Sequence, residues 1–270
     1  MRFGFSILIF FMLSVSCVFT QEVKPTVHPN GEVEAIQHFP GREDLGVLCW
    51  TVFDKDLPGY LSQIVILMYQ KGMTPQVLWQ SSLDQTYDPE IRFLPEIKSE
   101  GLPLVLVKEQ IGAAYASMNV IAKVEGHFTQ VSLIGGVEFE ILPLEQDKPP
   151  FIIAHHKSTY FDVPDIYRWN GSRFALDNRA HPGFYRSLFE EDKNTQPIEL
   201  SLQLQNLARI ADLAGELGEA RMLLLKALVM EEKKGDDQSM QRSLRSDLQK
   251  LEGETSRQSN GPGSETLKQH

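Results

Sequence analysis

Short apolar runs bounded by proline and glycine recur along the chain from about residue 31 to residue 190. Three of them lie at residues 64–67, 104–107 and 151–154, and each follows a proline. Such runs between turn residues are typical of buried strands. No segment of this part shows sustained helical periodicity. The pattern therefore predicts roughly ten to twelve short antiparallel strands.

The strand-forming part carries an internal period of 45 residues. Its marker positions are Trp79, Val124 and Trp169. Two dipeptides predict hairpins. Asn170-Gly171 is the stronger signal, because both residues tolerate the positive φ that a type I′ turn requires, and Glu125-Gly126 is the weaker one. We expect about three repeated β units.

Residues 167–174 (YRWNGSRF), with the proline and apolar strand before them, resemble the β-propeller-type repeats of the FG-GAP/VCBS group. That group occurs in many exported bacterial proteins. The resemblance covers residues 45–180 and implies a mainly β fold, an antiparallel repeat array that is partly propeller-like. We place this domain at residues 45–190, after a lead-in at 21–44. Three units are too few to close a propeller.

Repeats of that group often carry a calcium loop rich in aspartate. The equivalent loops here, at 99–103 and 146–150, lack it, and only Asp54 and Asp56 keep two carboxylates together. Calcium takes about six or more oxygen ligands, which two carboxylates do not supply. We therefore expect no metal ion and no cofactor.

Near Pro197 the spacing of the apolar residues changes to that of a helix. Asn194-Thr195 offers an N-cap, with Pro197 in the first helical turn. Apolar residues then recur at helical spacing on both sides of a glycine-bounded loop at 215–218. We expect a small helical hairpin within 197–252, capped by a third apolar stripe. From Gly253 to residue 270, the Gly/Ser/Thr-rich composition predicts a disordered tail.

The two helices of this hairpin resemble a single tetratricopeptide repeat over residues 199–232. The matching positions include Leu207, Ala208, Ala211, Gly215, Gly218, Ala220, Leu224 and Ala227. By that resemblance, one face of the first helix would contact a protein or peptide partner. That face comprises Leu202, Gln205, Asn206, Arg209 and Asp212. The alternative is a plain hairpin packed on the β domain, since stable arrays need about three repeats.

Residues 1–20 show the three parts of a secretion signal: Arg2, an apolar run at 3–13, and small residues before Thr20. We expect cleavage after Thr20, no membrane span in the remaining chain, and an exported, periplasmic or extracellular protein. The alternatives are an uncleaved membrane anchor and a lipid anchor at Cys17.

The formal net charge of −10 narrows the classes of partner. An acidic surface repels phosphate backbones and anionic lipid, and no local cluster of Lys and Arg offsets it. Nucleic-acid binding is therefore disfavoured. Cys49 lies in the apolar run 47–50, which predicts a buried thiol rather than a nucleophile.

The best candidate for chemistry is the polar segment that begins at His155 and His156 and continues to Asp162 and Asp165. Adjacent side chains on a strand point to opposite faces, so the two histidines are poorly placed to bind one metal ion. A surface loop between strands is the simpler interpretation.

No stretch of the chain carries a catalytic signature strong enough to name a reaction. We therefore expect an exported, non-catalytic binding or scaffold protein of the bacterial cell envelope. The alternative is an exported hydrolase that acts on an envelope or extracellular substrate.

Overall fold

The computed structural model describes residues 31–53, 60–82, 84–112, 114–142, 149–156, 161–195, 198–234 and 238–259. The predicted signal at 1–20 and Cys17 lie outside these ranges. The chain divides into two compact units. The first comprises residues 1–151 and 169–174, and the second comprises 152–168 and 175–270.

The fold is mainly β, as the sequence predicts, with four α-helices after the last strand. The strands are β1 (Gly31–Phe39), β2 (Arg42–Phe53), β3 (Tyr60–Met68), β4 (Gln76–Gln80), β5 (Tyr87–Ser99), β6 (Leu102–Gln110), β7 (Ala116–Val124), β8 (His127–Gly136), β9 (Glu138–Leu142), β10 (Phe151–His155), β11 (Asp165–Trp169) and β12 (Phe174–Leu176). They form three four-stranded antiparallel sheets, ordered β1-β2-β3-β4, β5-β6-β7-β8 and β12-β11-β10-β9. The sheets do not close into a propeller.

In the first unit, the sheets β1–β4 and β5–β8 pack face to face. One apolar cluster joins them, with Val47 and Ile66 from one sheet and Val105 and Ile121 from the other, all fully buried. Because side chains alternate along a strand, Leu48 and Trp50 of β2 face the opposite side, where they join a second buried cluster. Cys49 is buried in the first cluster, as its apolar surroundings predict.

Tight turns set the register of the second sheet. Both Glu125 (φ 52°) and Gly126 (φ 81°) have positive φ between β7 and β8, as a type I′ turn requires. Glu100 (φ 49°) and Gly101 (φ 80°) form the same turn between β5 and β6. The Glu100 carboxylate accepts the Gly126 N–H at 2.9 Å, which joins the two turns.

The Asn170-Gly171 hairpin is present, although its loop has four residues rather than two. Asn170 Oδ1 accepts the backbone N–H groups of Ser172 (3.0 Å) and Arg173 (2.9 Å). Its side chain therefore closes the loop, as asparagine often does in turns. The Asn170-Gly171 loop is therefore longer than a two-residue type I′ turn, and the Asn170 side chain supplies the hydrogen bonds that hold it closed.

The 45-residue period does not fall on equivalent strands throughout. Val124 ends β7 and Trp169 ends β11, the third strand of each sheet in chain order, whereas Trp79 lies in β4, a fourth strand. Trp79 packs against the core, while Val124 is 41% exposed. The sequence repeat therefore stays a prediction.

The helices are α1 (Pro182–Thr195), α2 (Ser201–Leu213), α3 (Leu217–Lys234) and α4 (Gln238–Ser259), preceded by a 3₁₀ turn at Asn178–Ala180. Helix α1 was not predicted, and it begins inside the segment assigned to the β domain. Its signal is the pair Tyr185 and Phe189, spaced i, i+4 and 0% and 4% exposed, after Pro182 at the first position.

Two predicted boundaries in the helical segment are wrong. Asn194 and Thr195 end α1 rather than cap the next helix, and Pro197 lies outside the described residues. Helix α2 instead begins where Gln203 Oε1 accepts the backbone N–H of Leu200 at 2.9 Å. Helix α4 continues through Gly253 to Ser259, within the predicted disordered tail.

Small residues let α2 and α3 pack closely. Ala208, Ala220 and Ala227 are 2%, 1% and 0% exposed. Gly215 (φ 82°) ends the turn after α2, where glycine avoids the penalty that a side chain would bring. The hairpin is therefore present, and α4 packs on α3.

A buried carboxylate lies at the interface between the first two sheets. Glu109 of β6 is 5% exposed. It accepts hydrogen bonds from Thr86 Oγ1 at 2.9 Å, from Asn119 Nδ2 at 2.8 Å and from the Ser62 hydroxyl. Burial raises the pKa of Glu109 and the nearby Asp84 adds to the rise, while the three donors oppose it. The raised pKa means that the fold disfavours the ionised form.

The titration of Glu109 should contribute to the pH dependence of the free energy of unfolding. Because its pKa is higher in the folded protein, its contribution is present below about pH 4 and is lost as the pH rises through the folded value. Glu109→Gln removes the titration, and its amide can still pair with Asn119 and the hydroxyls. Urea unfolding from acid to neutral pH should show Glu109→Gln gaining stability relative to wild type as the pH rises.

A matched variant sharpens this measurement. Thr86→Val keeps the side-chain shape but removes one donor that favours the ionised form. It should increase the loss of stability with rising pH. A stability difference between Glu109→Gln and wild type that stays constant with pH would contradict the assignment.

Candidate functional site

A cleft of about 490 Å³ lies among the helices of the second unit. Four of the five residues of the predicted partner-contacting face line it, namely Gln205, Asn206, Arg209 and Asp212, whereas Leu202 does not. The rest of the lining comes from the 3₁₀ turn and from α2, α3 and α4, and comprises Arg179, Ala208, Ala220, Leu224, Asp247, Lys250 and Leu251. We call this cleft the helical groove.

Helical periodicity explains why α2 presents these side chains. Gln205, Arg209 and Asp212 are spaced i, i+4 and i+7, so they lie on one face of the helix. Leu204 and Leu207, 0% and 1% exposed, face the packed interior. The polar face is therefore held towards the groove by the burial of the apolar face.

Helix α4 forms the second wall of the groove, and Gln205 joins it to α2. Gln205 Nε2 donates to Asp247 Oδ2 at 2.8 Å and to Ser243 Oγ at 3.0 Å. The other oxygen of Asp247 lies 3.3 Å from Lys250 Nζ. The third apolar stripe of the sequence thus supplies groove residues as well as a cap.

Two groove residues bond residues at or just before the start of β11. Asn206 Nδ2 donates to the Phe161 carbonyl at 3.1 Å, and Arg209 Nη2 donates to Asp165 Oδ1 at 3.2 Å. The histidine segment and the groove face of α2, predicted as separate candidates, are therefore connected within the second unit.

The two histidines bond different carboxylates. His155 Nδ1 lies 2.6 Å from Asp162 Oδ2, whereas His156 Nε2 lies 3.0 Å from Asp165 Oδ2. The backbone N–H of His156 donates to the other oxygen of Asp162 at 2.8 Å. Asp162 therefore bonds both residues at the end of β10. Within the part of the chain that the structure describes, no group of three or more His, Cys, Asp or Glu is arranged to hold a metal ion.

Asp165 is the centre of the polar contacts behind the groove. Its side chain is 15% exposed and accepts Asn178 Nδ2 at 2.8 Å as well as Arg209 Nη2. Asn178 Oδ1 in turn accepts the backbone N–H of Ile166 at 2.7 Å. The carboxylate therefore connects β11, the 3₁₀ turn and α2.

Helix α1 places a tyrosine beside this centre and an acid near Asp162. Tyr185 is fully buried and donates to the Pro164 carbonyl at 2.8 Å. Burial, followed by the charge of Asp165, raises its pKa. Burial, with smaller effects of Glu191 and Asp162, raises the pKa of Asp192 to about 6. Any stabilisation linked to protonated Asp192 is present below about pH 4 and is lost as the pH rises through about 6.

Several groove residues had no usable signal in the sequence. Arg179, Asp247 and Lys250 are ordinary charged residues far from α2 along the chain. Only the packing of α4 and the 3₁₀ turn brings them beside Arg209. The sequence indicates Asp165 as a candidate partner for the histidines, but it does not predict the contact between Asp165 and Arg209 of α2.

No family model, curated protein or solved structure matches this chain. Among the described residues, no helix is both long enough and apolar enough to cross a membrane.

The contacts of Asp162 predict that it stabilises the second unit. Asp162→Ala should lower the free energy of unfolding by about 1–3 kcal/mol, because the His156 N–H loses its acceptor in a partly buried site. Urea denaturation followed by helical circular dichroism would measure this loss. Glu190→Ala, which removes an exposed i, i+3 pair with Lys193, is the control and should cost about 0–1 kcal/mol. Equal losses would show that Asp162 makes no special contribution.

Proposed function

We propose that this protein is a non-catalytic binding protein that holds a segment of a partner polypeptide in the helical groove. The observation that carries the proposal is the convergence of Gln205, Asn206, Arg209 and Asp212 on one cleft. These residues occupy the positions that form the peptide-binding face in the tetratricopeptide repeat that residues 199–232 resemble. Their common location supports that role.

The chemistry of the groove suits a polypeptide. Leu224 and Leu251 line it with apolar side chains, and Gln205 and Asn206 add amide oxygens, which are hydrogen-bond acceptors. The N–H groups of a main chain match such acceptors. Contact between a groove and a bound segment is a common mode of peptide recognition.

The place of action is part of the same proposal. The predicted signal at residues 1–20 favours export, and the acidic composition disfavours nucleic acid as the partner. We therefore propose a binding or scaffold role in the bacterial cell envelope, in the periplasm or outside the cell, with lipid anchoring at Cys17 as the alternative form.

Selection from a phage-displayed library of short random peptides would test the binding function. Peptides selected on the intact protein should lose about tenfold or more in affinity when Gln205 and Asn206 are both changed to Ala, as measured by fluorescence polarisation. Arg245→Ala is the matched control, because Arg245 pairs with Glu232 on the surface and does not line the groove.

The thermal unfolding of each variant would show that it is folded. Failure to select any peptide, or equal affinity for wild type and the double variant, would overturn the proposed site.

A hydrolase is the second candidate function, and one contact favours it. The 2.6 Å contact between His155 Nδ1 and Asp162 resembles the pairing of a general base with an orienting carboxylate. Such an enzyme would add water across a glycosidic, ester or peptide bond. Purified protein should be screened against all three substrate classes, with the His155→Ala/His156→Ala double variant beside it. Turnover that this variant abolishes would replace the non-catalytic proposal, whereas no turnover would support it.

A further inference from the structure

On the basis of the proposed binding function, we propose that the helical groove selects acidic polypeptide segments, and that Arg209, held by Asp165, determines this specificity. Asp165 acts as a positioning residue from outside the helical repeat.

The cations of the groove lie nearer to solvent than their acidic partners. Arg179 is 57% exposed and its partner Asp212 is 23% exposed. Arg209 is 56% exposed and Asp165 is 15% exposed. The third pair, Lys250 with Asp247, follows the same order at 73% and 35%. A ligand that enters the groove therefore meets guanidinium and ammonium groups first, with the carboxylates behind them.

Arg209 is the cation best placed to form paired hydrogen bonds with a carboxylate of the ligand. A guanidinium carries five N–H donors in a rigid fork, and the contact to Asp165 uses Nη2. Asp165 is itself fixed by Asn178 and His156, so the fork is held before any ligand arrives. A pre-positioned fork loses less side-chain entropy when it forms paired hydrogen bonds with a carboxylate.

The charge of the whole chain makes this groove a local exception. With a net charge of −10, most of the surface repels an acidic segment. The groove lining carries three cations (Arg179, Arg209 and Lys250) and two carboxylates (Asp212 and Asp247), a net charge of +1, where an extended chain could lie. Binding should therefore weaken as salt screens the attraction.

The test compares three sets of short synthetic peptides that share a sequence framework and carry Asp/Glu, Asn/Gln or Lys/Arg at the same positions. Fluorescence polarisation with the full chain should show the acidic set binding at least about tenfold more tightly than the other two sets. Added salt should reduce that advantage.

Two surface variants assign the preference to Arg209. Arg209→Gln should reduce the affinity for acidic peptides about tenfold, and Arg209→Lys should also reduce it, because lysine keeps the charge but lacks the fork. Arg245→Gln makes the same change of charge outside the groove and should leave the affinity unchanged.

Asp165→Asn separates positioning from simple electrostatics. Removal of a negative charge beside the groove would by itself strengthen the binding of acidic peptides. If Asp165 positions Arg209, the affinity should instead fall several-fold, with the thermal unfolding curve confirming an intact fold. Stronger binding would overturn the positioning role, and the result with Arg209→Lys stands independently on a side chain at the surface.

The outcomes distinguish this inference from the function on which it rests. Binding in none of the three peptide sets would contradict both. Binding without preference for the acidic set, or unchanged in Arg209→Gln, would overturn the acidic specificity and leave the groove as a binding site.

Discussion

The second unit depends on the contacts of one carboxylate. Asp165 lies at the start of β11, is largely buried, and is bonded by Asn178, His156 and Arg209. A buried charge without partners is costly, and these three contacts supply the partners of this carboxylate. Meeting that requirement fixes the 3₁₀ turn and α2 against the strand. The shape of the helical groove follows from this arrangement.

The first unit also contains a buried carboxylate, but its hydrogen-bond partners are of a different kind. Glu109 lies between two sheets and receives hydrogen bonds from hydroxyl and amide side chains, without a cationic partner among its hydrogen-bond donors. Burial then raises its pKa, whereas the donors keep the group hydrogen-bonded in either form. Polar groups of this kind give a sheet interface a specific alignment, because any shift in register would leave them unsatisfied.

Glu109 and Asp165 differ in whether they contact a side chain at the surface. Glu109 is 5% exposed and receives its hydrogen bonds from neutral donors, so it belongs to the core of the first unit. Asp165 is bonded by an arginine that is more than half exposed. Its charge is therefore linked to a surface on which a partner can act. This difference is why we assign binding to the second unit and a structural role to the buried layer of the first.

The sequence by itself determined the strands, the turns and the polar face of α2, because these features follow from local alternation, positive φ and helical spacing. Through the resemblance to a tetratricopeptide repeat, it also indicated Gln205, Asn206, Arg209 and Asp212, which line the helical groove, together with Leu202, which does not. It missed α1, whose signal is only the pair Tyr185 and Phe189, and it misplaced the start of α2.

Only the tertiary structure joined His156 to Arg209 through Asp165, and only it brought α4 beside the groove. Contacts between residues distant in the chain depend on packing, which local patterns do not encode.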